Sequence, residues 1–263
     1  MPTDPLLKMN TFGATLRIIY ILWLRQVKHY WRSPARVIGS LGQPLLFLIA
    51  LGYGLGAVFQ QAGQGNFIEF LAPGIMGMAV LFTSIFSGIE IIWDKQFGFL
   101  KETLVAPVSR LTIMFGRTLG GATVATIQGV VVFFLALVIG FRPTNIWMFF
   151  PALLFMLLIA LLFTALGTAI ASRLNDMQGF QLIMNFVVMP IFFLSGAIFP
   201  INKVPTALAV VVKLNPLSYG IDAIRSLLVG VGSFSLTTDA LVLAAVTAVL
   251  VALGAWLFSG IQA

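Results

Sequence analysis

From Val37 onward the apolar residues of this chain neither mark one face of a helix nor alternate as in a half-buried strand. They run together in six long blocks: Val37–Phe59, Phe70–Trp93, Leu119–Phe141, Ile146–Ala171, Phe180–Phe199 and Ala240–Phe258. Each is close to the length of about 20 residues that carries a helix across the hydrocarbon of a bilayer. Hydrocarbon offers the backbone no water, so peptide groups must pair within each block, and six transmembrane helices are predicted. Pro44 and Pro190 fall inside the first and fifth blocks and predict kinks. Pro73 and Pro151 fall in first turns, where a missing N–H costs little.

Ahead of the blocks the pattern is different. Over residues 10–32, Phe12, Leu16, Ile19, Tyr20, Trp23, Val27, Tyr30 and Trp31 recur at three- and four-residue spacing, with Arg17, Arg25, Lys28 and Arg32 largely elsewhere. Aromatic rings at headgroup level with basic side chains toward anionic lipid predict an interfacial helix. Its marker residues are Trp23, Arg25, Lys28, Tyr30, Trp31 and Arg32. Ser33-Pro34 ends it. Residues 1–36 thus form an N-terminal segment, and 37–263 a single transmembrane domain. The stretch Ile18–Leu24 is too short to span and lacks a small-residue cleavage site after it, so no cleavable signal peptide is expected.

Charge sets the orientation. Lys8, Arg17, Arg25, Lys28, Arg32 and Arg36 precede the first block, Lys95, Lys101, Arg110 and Arg117 follow the second, and Arg173 follows the fourth. The opposite side holds only Arg142, Lys203, Lys213 and Arg225. Eleven against four places both termini in the cytoplasm. The net charge of +7 therefore belongs to membrane orientation rather than to a nucleic-acid face. Composition agrees: 60% of residues are hydrophobic and 9% charged, and cysteine is absent.

No phosphate-binding GxxxxGK[ST] loop, GxSxG elbow or HExxH helix occurs, so neither nucleotide binding nor a catalytic or metal centre is expected in this chain. Buried coupling charges are missing from the blocks as well, apart from Glu90 near the cytoplasmic end of the second. Transport would then take its energy from a partner. The loop Asp94–Thr118, with Phe99–Val105 helix-like before Pro107, offers that partner apolar anchors rimmed by Lys101, Glu102 and Arg110. The external stretch Pro200–Asp239 is too apolar for a solvated loop. Two short helices dipping back into the membrane, broken at Asn215-Pro216, are predicted there. Gln43, Phe47, Thr83, Phe86, Ser87, Glu90, Asn185 and Phe192 are the candidate gate or path residues. Gly52, Gly54 and Gly56, with Gly167 and Ala171, permit close helix contact.

Three stretches carry a resemblance: "LKETLVAPVSRLTIMFGR", "FLSGAIFPINKVP" and "LNPLSYGIDAIR". Together they resemble the permeases of ABC-2-type exporters, including those of the daunorubicin-resistance, nodulation-factor and polysaccharide-export types. The resemblance implies an all-α membrane protein of six transmembrane helices, with an N-terminal interfacial (elbow) helix, a cytoplasmic coupling helix and external re-entrant helices between spans five and six. It implies a bacterial inner-membrane dimer with a second copy of the chain, embedded in lipid and joined by two ATPase subunits that bind ATP and Mg. The coupling helix would contact the ATPase through Leu100, Lys101, Glu102, Thr103, Leu104, Ala106, Pro107 and Arg110. The re-entrant region would include Asn215, Pro216, Tyr219, Asp222 and Arg225. An amphipathic substrate, whether drug-like, lipid or lipid-linked glycan, would move outward. A stand-alone carrier or channel using Glu90, and a membrane enzyme acting on lipid, are the competing readings.

Overall fold

The computed structural model describes residues 11–61, 66–99, 109–201 and 205–259. Its helices are α1 (Thr11–Trp31), α2 (Pro34–Gly54), α3 (Gly56–Gln61), α4 (Phe67–Phe86), α5 (Ile89–Gln96), α6 (Arg110–Ile139), α7 (Phe149–Arg173), α8 (Met177–Phe193), α9 (Thr206–Leu214), α10 (Pro216–Val229) and α11 (Leu236–Ser259). A 3-10 turn, Ile146–Met148, leads into α7. No strand occurs among the described residues.

Among the described residues, five stretches are long and apolar enough to cross a membrane: Val37–Gly54, Phe67–Gln96, Arg110–Ile139, Ile146–Arg173 and Leu236–Leu257. The pair α9 and α10, bent by 90° at Asn215, makes a sixth only if counted as one span. The break at Asn215-Pro216 falls where the sequence predicts it.

Three boundaries differ from expectation. The fifth block is a helix of only 17 residues, about 25 Å long and short of a full crossing. It stops because Ser195 Oγ donates to Phe192 O at 2.6 Å and the chain turns through Gly196 at φ 71°. The third crossing helix begins nine residues early, at Arg110, where Ser109 Oγ accepts the Thr112 N–H at 3.1 Å. Most of the described part of the predicted loop Asp94–Thr118 is therefore helix; its residues 100–108 lie outside the described residues. Pro73 is not in a first turn: α4 begins at Phe67 and holds Pro73 in its interior.

The core is centred on α4. Every residue from Leu71 to Leu81 is buried, because α6, α7 and α10 pack around it, with α2 and α8 alongside. A helix apolar on all sides suits such a core, as it suits lipid. The junction of α4 and α5 crosses α7 backbone to backbone. A Cβ on Gly167 would lie 2.4 Å from Ile85 O, and one on Gly88 would lie 2.5 Å from Gly167 O. Of the small residues noted in the sequence, Gly167 thus makes the expected close contact, whereas Gly54 and Gly56 face open space.

Candidate functional site

Between α1, α2, α4, α5 and α6 lies a cavity of about 700 Å³. Pro44, Met78, Phe82 and Phe86 give its lining an apolar part; Arg25, His29, Glu90 and Asp94 line it beside Trp93, Phe97 and Phe99. A site lined by both apolar and charged groups suits an amphiphile.

The charged part is cross-linked. Asp94, at the end of α5, accepts from Arg25 Nη2 on α1 at 3.0 Å and from Arg117 Nη2 on α6. Arg117 is 4% exposed, and its Nε and Nη1 have no partner. One carboxylate therefore ties three helices together. His29 Nδ1 lies 3.4 Å from Glu90 Oε1. On the other side of α5, Lys95 Nζ donates to the carbonyls of Ala171, Ser172 and Leu174, closing the C-terminus of α7. A cation at that helix end satisfies orphan carbonyls and opposes the helix dipole.

The α1 helix packs against the bundle. It is seated along α6 over small residues: a Cβ at Gly116 would lie 2.8 Å from Leu22 Cβ, and one at Gly120 would lie 2.6 Å from Gln26 Cβ. Trp23 Nε1 donates to Thr123 Oγ1 at 2.9 Å, and Tyr30 Oη donates to Gln128 Oε1. Burial pushes the Tyr30 phenol above its ordinary pKa. Lys28, Trp31 and Arg32 remain exposed.

At the opposite end of the bundle the bent pair is clamped. Asn215 Oδ1 accepts the Leu217 N–H as the cap of α10, while its Nδ2 donates to Ile191 O at 2.6 Å. Pro216 occupies the first position of α10, where proline is pre-shaped for a helix. Arg225 is buried; its Nε donates to Phe70 O at 3.2 Å and its Nη2 to Gly196 O at 3.0 Å. Its guanidinium also sits 4.0 Å over the Phe70 ring. The Phe70 carbonyl lies one turn ahead of Pro73. Tyr219 donates to Lys213 O and stacks on Phe234.

Of the predicted path residues, Gln43, Thr83, Phe86, Ser87 and Glu90 line the cavity. Phe47 and Phe192 do not. They meet edge to face, 6.4 Å apart. Asn185 is exposed on α8 and lies outside the cavity lining. The coupling residues Leu100, Lys101, Glu102, Thr103, Leu104, Ala106 and Pro107 lie outside the described residues, and Arg110 opens α6. Sequence reasoning missed Asp94, Arg117 and Gln128 as links between helices. Arg117 and Gln128 are polar side chains in otherwise apolar surroundings, the one available signal.

Long apolar helices around a wide, amphipathic cavity are the anatomy of a membrane transport protein. The chain belongs to the ABC-2 type transporter family, whose model matches residues 17–229. It is 31% identical over 224 residues to the transport permease ycf38 of Pyropia yezoensis, covering 81% of this chain and 75% of that one. It is 30% identical over 234 residues to ycf38 of Porphyra purpurea, covering 84% and 78%. It is 29% identical over 220 residues to nodulation protein J of Rhizobium leguminosarum bv. trifolii, covering 82% and 80%. The chain is thus a multi-pass membrane transport permease subunit, and its family implies an ABC ATPase subunit as partner.

Proposed function

We propose that this chain is the membrane subunit of an exporter. Two copies, embedded in the bacterial inner membrane with both termini in the cytoplasm, would carry an amphipathic substrate outward. A pair of ATPase subunits, holding ATP and Mg, would supply the energy. The single observation that carries this reading is the cavity, whose charged part is tied directly to α1 and to the base of α6 through Asp94. Force applied to that part by a partner would act on the cavity wall at once, since α1, α5 and α6 share one carboxylate.

In this reading residues 1–36 and 37–263 are the interfacial segment and the transmembrane domain. The stretch Leu100–Arg110 is the coupling element, and α9 with α10 dips back into the outer half of the membrane. Gln43, Thr83, Phe86, Ser87 and Glu90 line the route; Phe47 and Phe192 brace the helices beside it. Substrates are drug-like, lipid or lipid-linked glycan molecules.

Purification of the tagged protein from its native membrane tests the partnership. An ATPase subunit should come with it, and Glu102→Arg or Leu104→Asp should release that subunit while leaving the permease folded. Uptake or expulsion of a solute by vesicles holding this polypeptide alone would overturn the reading in favour of a stand-alone carrier.

A further inference from the structure

Both carboxylate oxygens of Asp239 are buried without a hydrogen-bond partner, and the residue has no exposed surface. It stands in the first turn of α11, where its N–H donates to Ser235 O at 3.0 Å. A second acid, Asp222 on α10, lies within its electrostatic reach. The two are not equivalent. Asp222 is 1% exposed but fully served, since the Ser233 N–H reaches both of its oxygens at 2.9 Å and the Phe234 N–H reaches one at 2.8 Å. Arg225, one turn along α10, adds its positive charge. The Asp222 oxygens are therefore satisfied by backbone donors, and those of Asp239 are not.

A carboxylate ion stripped of water and of every partner is far costlier than its neutral acid. A second acid nearby makes double ionisation worse. The field at the start of α11 favours negative charge but is too weak to offset that burial. The other charged or titratable groups do not change the balance. Tyr219 on α10 gives its proton to Lys213 O, and Lys213 itself is exposed. Arg142, after α6, donates to the Leu137 and Phe141 carbonyls. Arg110 and Arg117 on α6, and Arg173 on α7, stand at the far ends of those helices.

We propose that Asp239 is a proton-binding site. While α10 and α11 are packed together its carboxyl keeps a proton. When they part, water reaches the group, the O–H bond breaks, the proton passes to water and a carboxylate remains. The packed arrangement then binds one more proton than the parted one, so acid favours packing and alkali favours separation. This inference does not depend on the transport reading; it concerns how two helices are held together.

Infrared spectroscopy of the full-length protein in nanodiscs tests it. At neutral pH the wild type should show the carbonyl stretch of a protonated carboxyl; Asp239→Asn should lose that intensity and Asp222→Asn should keep it. A wild-type spectrum without the band, or a band untouched by Asp239→Asn, overturns the proposal. Melting gives a second reading. The folded protein holds a proton that the unfolded chain has released, so the wild-type Tm should fall from mildly acidic to mildly alkaline pH, and that of Asp239→Asn should stay level. An Asp239→Asn protein as destabilised as Asp239→Ala at neutral pH would show the ionised form to be the stabilising one, and the proposal fails. A Tm that rises with added sodium or potassium and ignores pH assigns the site to a metal cation and also overturns it.

Discussion

The two ends of this bundle are held by the same side-chain type in opposite ways. At the α1 end, Arg25 and Arg117 share the carboxylate of Asp94. At the far end, Arg225 spends its donors on the backbone carbonyls of Phe70, Gly196 and Ala197. A side-chain pair can open and re-form by rotation about a few bonds, without deforming either helix. A bond to backbone carbonyls cannot be lost unless the helix and the turn bearing them move. The α1 end is thus a joint and the far end a clamp, and each should respond to substitution in its own manner.

The clamp predicts the largest loss. Arg225→Ala leaves three carbonyls, two of them buried, and the Phe70 ring without this partner, and should cost on the order of 3–5 kcal/mol. Arg225→Lys keeps the charge but not the planar fork, and should recover only part. Denaturant unfolding in detergent measures both. A wild-type-like Arg225→Ala protein would remove the clamp from the comparison.

Next comes the buried half of the joint. Asp94→Asn leaves the Arg117 guanidinium buried beside a neutral amide and should cost about 3 kcal/mol, since breaking a buried pair strands a charge. Adding Arg117→Met removes that charge, and the double variant should regain most of the loss. If the double variant is instead additive, the pair is not what Asp94 contributes.

The groove under α1 ranks third. At Gly120 an added Cβ would sit 2.6 Å from Gln26 Cβ, atoms close to a backbone and unable to swing aside. Gly120→Ala should lift α1 at a cost of about 1–3 kcal/mol. The loss of the Trp23 bond to Thr123 should appear as a shift in tryptophan emission.

How much of this was legible in the sequence follows from the same contrast. The apolar blocks locate the crossing helices because hydrocarbon length is a strict ruler. The C-terminal end of α1 and the break at Asn215-Pro216 are legible because proline and its neighbours punctuate them. Arg110 and Arg117 misled the reading. Charge on a predicted loop looks like solvated surface, whereas the Ser109 cap starts the helix at Arg110 and Asp94 takes up the Arg117 charge, so nine further residues are helical. Pro73 misled for a related reason, since helix α4 starts on Asn66, whose Oδ1 accepts the Ile68 N–H at 3.0 Å. Polarity within apolar blocks picks out Gln43, Thr83, Ser87 and Glu90 of the cavity lining, and Phe86 joins them as an aromatic. Asn185 satisfied the same rule yet faces away, because polarity along a helix does not reveal which side meets a neighbour.

The smallest expected effect falls on Arg25, and it sharpens the comparison most. Arg25 and Arg117 both bond Asp94, but the Arg25 side chain is 52% exposed and that of Arg117 is 4% exposed. Water screens the exposed pair and solvates Arg25 when it is open, so its coupling to Asp94 should stay under about 1 kcal/mol. A double-mutant cycle with Arg25→Ala and Asp94→Asn measures that coupling directly, and raising the salt should erase it. The same cycle with Arg117→Met should return a value several times larger that salt barely changes. Equal couplings would mean that the joint is as rigid as the clamp. Unequal ones leave Arg25 as the contact that α1 can release first while Arg117 keeps α5 and α6 together.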